Sequence, residues 1–196
     1  MPTRLSLLAT RVRLGSMSAS AVSVHRSSDH LFSKESVDTI ELLPGLGVSG
    51  DAHSGARVQH RSRVAADPMK PNLRQVHLIH EELFTHMADL GYSVEPGDLG
   101  ENVTTRDIDL LSLPVGAVLR LGSEALIAVT GLRNPCSQIN DFQEGLLDTV
   151  LSRNDDGSLI RLAGIMGVVV AGGHVAIGDA IEVSLPPPPL RPLERV

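Results

Sequence analysis

Residues 115–151 read VGAVLRLGSEALIAVTGLRNPCSQINDFQEGLLDTVL, and they hold a strand pair, a loop with a cysteine and a helix in that order. Val115 to Leu121 and Ala125 to Val129 are short, branched and apolar, and Gly122-Ser-Glu between them supplies a turn. The pair reads as a β-hairpin. In Asp141 to Leu151 the period changes, and Phe142, Leu146, Leu147 and Val150 fall on one helical face. Between them lies Thr130-Gly-Leu-Arg133-Asn134-Pro135-Cys136-Ser137, which leaves a strand and enters a helix. Cys136, the chain's single cysteine, is therefore expected on a loop just ahead of a helix start.

Outward from this stretch the chain keeps the same texture. Val22 to His25 alternates with period two, Val37 to Leu43 does so in part, and Arg74 to Ile79 reads as a buried strand. Glu81 to Leu90 carries Leu83, Met87 and Leu90 at helical spacing before Gly91, a natural stop. Gly164 to Val170 and Ala176 to Val183 give two further strands around Gly172-Gly173. Leu46 to Gly55 and Pro96 to Val103 are turn-rich loops, and Ser62 to Asn72 reads as a surface excursion. Two to three modest helices among seven or eight short strands predict a mainly β, β-rich α+β protein, with a closed or nearly closed β-barrel. Strands and helices do not alternate regularly, which disfavours a doubly wound parallel sheet.

At 196 residues, 42% of them hydrophobic and 20% charged, the chain has the composition of one globular domain. The expected organisation is an N-terminal extension over residues 1–19, a domain over 20–185 and a Pro-rich tail over 186–196. Residues 1–16 are basic and free of acids, but their longest apolar run, Leu7 to Ala9, is too short for a signal-peptide core. Pro186 to Pro189 is expected to leave the last strand as a stiff polyproline exit that does not rejoin the fold. A net charge of −6 argues against a protein that grips phosphate backbones. No apolar run approaches the roughly 20 residues that span a bilayer. With one cysteine no internal disulfide can form, so a reducing, cytoplasmic setting is expected, with neither nucleic acid nor membrane as partner.

Three places can carry chemistry. The Cys136 loop is one: Arg133 and a following helix start both favour a thiolate, the form that binds soft metals or carries sulfur. A lone cysteine is also commonly a small buried hydrophobe. Gly97-Asp98-Leu99-Gly100-Glu101-Asn102-Val103 is the second, either a polar ligand site or a tight turn whose Asp and Asn bond their own main chain. The third is Gly50-Asp51-Ala-His53-Ser-Gly55, where Asp51 and His53 can orient each other. The wider set of His53, His60 and His77 does not match a compact zinc pattern. His77 alternates with Val76 and Leu78, so on a strand it faces away from them. Phosphate-loop, serine-elbow and His-Glu-x-x-His templates are all missing.

Taken in order, six pieces resemble the MOSC family, named for the C-terminal domain of molybdenum cofactor sulfurases. They are Gly47 to Gly55, Arg74-Gln-Val76, Pro96 to Val103, Leu113 to Gly116, Asn134-Pro-Cys136 and Gly172 to Asp179, and they span about residues 20 to 185. The resemblance implies a strand-rich, barrel-like fold whose cysteine binds molybdenum or carries a sulfur for it. Cys136 would then be the metal ligand and catalytic residue. Asp98, Glu101, Asn102 and Asn134 would line the molybdenum cofactor (molybdopterin) cleft, with Arg74 and Arg133 near its phosphate or pterin and His53 as a further metal-ligand candidate. Members of the family with known activity reduce N-hydroxylated bases, and the cofactor supplies the redox chemistry.

Larger reductases of that kind carry additional N-terminal regions, and some carry a ferredoxin-like domain. A chain with one cysteine cannot hold its own iron–sulfur cluster, so a reductase of this form needs a separate electron-donor protein and a small-molecule substrate. Two alternatives stay open at this point: a non-catalytic carrier of the cofactor or of sulfur through a Cys136 persulfide, and a partner- or ligand-binding β-barrel without the cofactor.

Overall fold

In the computed structural model the chain is described over residues 18–59 and 61–196. The expected N-terminal extension lies almost wholly outside those residues, as does His60.

In chain order the elements are β1 (Ser20–Arg26), β2 (Glu35–Val37), β3 (Thr39–Leu43), β4 (Gly47–Val48), α1 (Arg61–Ala66), β5 (Val76–His80), α2 (Glu82–Asp89) and β6 (Val103–Arg106). A 3-10 turn over Leu110–Ser112 follows, then β7 (Val118–Leu121), β8 (Ala125–Leu132), α3 (Gln138–Phe142), α4 (Leu147–Val150) and β9 (Leu151–Arg153). β10 (Leu159–Arg161), β11 (Ile165–Ala171), β12 (Gly173–Ala176) and β13 (Ile181–Ser184) complete the regular structure of the described residues. The mainly β class stands. Strands such as β4 and β9, two and three residues long, are too short to show a period in the sequence.

The expected barrel does not form. Eight strands make one open, mixed sheet in the order β13-β7-β8-β11-β5-β6-β1-β2, beside a three-stranded sheet, β12-β3-β4, and a two-stranded one, β10-β9. Residues 19–21 do approach 178–181: Ala21 N–H donates to Asp179 O at 2.9 Å and Ile181 N–H to Ala19 O at 2.7 Å. Only an isolated bridge, Ser20 with Ala180, results. On the edge of β1 away from β6, β2 already occupies Val24 to Arg26, so only the first residues of β1 are left to meet 178–181 and the pairing stays short.

The hairpin is as expected, with Leu121 facing Ala125 across Gly122. Along β8 buried and half-buried residues alternate without a break, the mark of a strand with one core face. Ile127, Val129, Leu119, Leu78, Ile165 and Ile40 belong to a first core between the large sheet and the three-stranded sheet. β5 is buried on both faces: Leu78 enters that first core, while Ile79 joins a second formed with Leu83, Met87, Leu99, Ile139, Leu146 and Val150. A strand between two apolar layers reads as a continuous hydrophobic run, as Val76 to Ile79 does apart from His77.

The second predicted helix is broken. Instead of one helix over 141–151, α3 ends at Phe142 and α4 starts at Leu147. Gly145 between them has φ +81°, outside the right-handed helical region, and a Cβ there would lie 2.7 Å from the Tyr92 hydroxyl. Leu146 and Val150 still reach the second core, but Phe142 is 40% exposed. The segment that reads as a surface excursion contains all of α1 but its first residue, and the tail expected to leave the fold returns to it. Leu132 N–H donates to Glu194 O at 2.8 Å, and Val115 N–H to Arg191 O at 2.9 Å. A polyproline stretch stiffens the chain locally, and the residues beyond it remain able to pair.

Candidate functional site

A cavity of ≈ 230 Å³ opens where five segments, together with Met166 of β11, converge on the helix-covered side of β5. The loop after β1 brings Leu31, Phe32 and Lys34, and the Gly-rich loop brings His53, Val58 and Gln59. Asn72, Arg74 and His77 come from the approach to β5 and from the strand itself, Gly100 and Asn102 from the acidic loop, and Arg133, Asn134, Cys136 and Gln138 from the loop after β8.

Beneath the cavity lies a buried polar network centred on Asp51. Its Oδ2 pairs with Lys34 Nζ at 2.6 Å, and the two side chains are only 2% and 5% exposed. Oδ2 also accepts from Asn102 Nδ2 at 3.0 Å, while Oδ1 accepts from the His53 backbone N–H at 2.9 Å and meets His53 Nδ1 at 3.3 Å. The expected Asp51–His53 orientation is therefore present. Burial by itself raises the Asp51 carboxyl, but hydrogen bonds from His53 and the charge of Lys34 overcome it and hold it well below the usual carboxylate range. Burial pulls the Lys34 ammonium below the ordinary lysine value, against the opposing field of Asp51.

Asn102 is a structural hub. Its Nδ2 also donates to His25 O at 3.2 Å, and its Oδ1 accepts from His77 N–H at 3.2 Å. Three strand and loop segments are thereby tied to one carboxamide. His77 presents its ring to the cavity side and meets Ala163 O through Nε2 at 2.8 Å. Burial, then the positive charge of Arg133, pushes its pKa well below normal.

Arg133 is buried on the cavity wall, and its Nη1 has no hydrogen-bond partner. Burial lowers its pKa from the ordinary arginine value, and the Cys136 and Glu101 charges act in the opposite direction. Cys136 is half-buried at the cavity edge, two residues before α3, where the five-residue helix leaves little macrodipole to act on it. Its thiol lies 3.4 Å from Gln138 Oε1. Arg74 and Asn134 line the same cavity, with Asn134 Oδ1 accepting from Arg161 Nε at 3.3 Å.

Asp98 and Glu101 stand apart from the other predicted residues. Asp98 Oδ2 accepts from the Glu95 backbone N–H at 2.8 Å, which is turn chemistry. Glu101 points into the protein, its Oε1 accepting from Gly97 N–H at 2.5 Å and from Thr104 Oγ1 at 3.0 Å, while Oε2 is buried without a partner. Burial raises its pKa above the ordinary glutamate value. Neither carboxylate lines the cavity.

Sequence reasoning did not find Lys34, Phe32, Gln59, Asn72 or Gln138. Lys34 is one of two lysines in the chain, the other being Lys70, and that scarcity is the only sequence signal it gave. Lys34 comes to the site because β2 folds back along β1, a pairing no local pattern announces.

Among the described residues no group of three or more His, Cys, Asp or Glu is placed to hold a metal ion. A metal here must bring most of its ligands with it, as one carried on an organic cofactor does. The donor set agrees with such a group. Cys136 offers a soft sulfur, and Arg74 and Arg133 offer positive charge, with the buried Nη1 of Arg133 in want of an acceptor. Among the described residues no helix is long and apolar enough to cross a membrane.

Comparison with known proteins bears on the fold and the family. The most similar solved structures include the YuaD protein of Bacillus subtilis, with a TM-score of 0.70 and 25% identity over 85% of this chain and 96% of that one. YiiM of Geobacillus stearothermophilus matches at TM-score 0.59 and 16% identity over 85% of this chain and 75% of that one. YiiM of Escherichia coli matches at 0.59 and 20%, over 88% and 73%. These last two speak for the fold. No curated protein matches the chain. The family model of the MOSC domain matches residues 53–182, a span that takes in the cavity from His53 to Met166, and the chain belongs to the MOSC domain family.

Proposed function

We propose that this protein binds the molybdenum cofactor in the cavity beside Cys136 and reduces N-hydroxylated small molecules there, using electrons from a separate donor protein. The observation that carries this is the meeting of one soft sulfur, Cys136, with a buried arginine whose Nη1 has no partner, Arg133, on the wall of one cavity. When bound, the cofactor supplies the two-electron chemistry. Cys136 would hold the metal; Arg133 and Arg74 would neutralise the cofactor's anionic groups; Asn134, fixed by Arg161, would orient it. Reduction of an N–OH group takes two electrons and two protons and releases the amine and water.

At ≈ 230 Å³ the enclosed space falls below the range of about 300–1,000 Å³ typical of ligand sites. The residues that would hold the cofactor there are Cys136, Arg133, Arg74 and Asn134. Leu31, Phe32, Val58 and Met166 give the cavity an apolar side suited to a flat organic substrate.

The test is molybdenum content of the purified protein and of Cys136→Ser, after expression in a host that makes the cofactor, followed by assays with N-hydroxylated bases and a chemical reductant. The proposal expects metal near one per chain, lost in the variant, together with turnover. Metal without turnover would leave the carrier; equal metal in both proteins would remove Cys136 from the site.

A further inference from the structure

Beyond β7 the edge of β8 passes to a different partner. β7 pairs with β8 from Leu121–Ala125 to Val118–Ala128, and Gly116 and Ala117 extend the contact to Val129. The last residues of β8 are covered by the chain's final segment. Leu132 N–H donates to Glu194 O at 2.8 Å, Val196 N–H donates to Leu132 O at 3.3 Å, and Leu132 forms a parallel bridge with Arg195. Leu193 packs against the first core. On its other side Leu132 pairs with Ile165 of β11, and the next residue's N–H, that of Arg133, reaches Gly164 O at 3.0 Å.

Gly131 shows how close the segment lies. A Cβ on this residue would sit 2.4 Å from Glu194 O and 3.0 Å from Val196 Cβ, and its three nearest contacts are all with the final segment. A glycine inside a strand marks a close backbone approach. The approach occurs two residues before Arg133 and five before Cys136.

We infer that residues 191–196 are a positioning element for the cavity: a parallel clasp that takes over from β7 and fixes the end of β8, from which Arg133 and the Cys136 loop project. Without it the Leu132 backbone would be an open edge, and the loop would be anchored from the β11 side alone. The inference concerns the loop's rigidity and stands whether or not the cavity takes the molybdenum cofactor.

The experiment uses the full chain with two variants that loosen the clasp by different routes. Gly131→Val inserts a side chain where Glu194 and Val196 lie, and Leu193→Asp removes the segment's apolar anchor. Native-state hydrogen exchange is read at Leu132, Arg133 and Ile139, the last bonded to Cys136 O at 3.1 Å, with the Ser49 amide, bonded to Glu41 O at 2.8 Å in the three-stranded sheet, as the reference. In both variants exchange at Arg133 and Ile139 is expected to rise about tenfold or more, the effect of losing two net backbone hydrogen bonds from a local opening, while Ser49 is unchanged. Acceleration confined to Leu132 would show a tethered tail without influence on the loop and overturn the inference. Acceleration equal at Ser49 would show general destabilisation and overturn it as well. Where wild type carries molybdenum, its occupancy is expected to fall in the same variants; a wild type without metal leaves the exchange readout decisive.

Discussion

Replacing Asp51 by Asn should strand a buried cation. Asn keeps the shape and can still accept from His53 N–H, but the Lys34 ammonium, 5% exposed and 2.6 Å from Oδ2, loses its counter-charge. Breaking a buried ion pair on one side costs about 3–5 kcal/mol. An independent bound comes from the lysine itself. It can escape by giving up its proton, and taking a group with a free value near 10.4 to neutral at pH 7 costs about 4–5 kcal/mol. The two agree.

For a chain of this length about 4 kcal/mol corresponds to a fall in Tm of roughly 8–16 °C. The sign of the pH dependence follows from the same pair. In the variant Lys34 titrates lower in the folded state than in the unfolded state, so the unfolded chain binds more protons and stability rises with pH toward about 10. The assay is urea unfolding of wild type, Asp51→Asn and Asp51→Asn/Lys34→Met at pH 7 and pH 9.5. The single variant should lose about 4 kcal/mol at pH 7 and visibly less at pH 9.5. The double variant should recover most of the loss. A deficit under about 1 kcal/mol at pH 7, or one that does not shrink with pH, would refute the view that Asp51 serves to hold a charged Lys34 beneath the cavity.

Glu101→Gln tests the other buried carboxyl. Its pKa is raised in the folded state, so wild-type stability should fall as pH climbs from the ordinary glutamate value through the folded one, and urea titrations of the variant should show that slope flattened. Arg133→Met should raise the thermal stability of the metal-free protein, by up to about 1–4 kcal/mol, because an incompletely partnered buried cation is replaced by an apolar side chain. The same variant should lose molybdenum on purification. Calorimetry paired with elemental analysis checks both, and a variant less stable than wild type that retained metal would contradict the role given to Arg133.

The sequence by itself determined what depends on near neighbours. Period two in β7 and β8 and helical spacing in α2 are written in residue order, because a strand or helix face repeats within a few positions, whereas in β1 a bulge between Ala21 and Ser23 interrupts the alternation. The Cys136 loop was legible for the same reason: the hairpin ahead of it and the change of period after it bracket it locally. Asp51 and His53 are two residues apart, and their contact needed no tertiary knowledge.

Tertiary structure decided whatever depends on partners far along the chain. Whether the sheet closes turns on β2 occupying part of the edge of β1, and 141–151 breaks at Gly145, which takes a positive φ with the Tyr92 hydroxyl standing where a Cβ would be. In the acidic loop local composition could not separate Asp98, which bonds its own turn, from Asn102, which ties Asp51, His25 and His77 together. Lys34 and the clasp at residues 191–196 lie furthest from any sequence signal, since one of two lysines and a segment beyond a run of prolines gain meaning only from the buried carboxylate and the open strand edge that they meet.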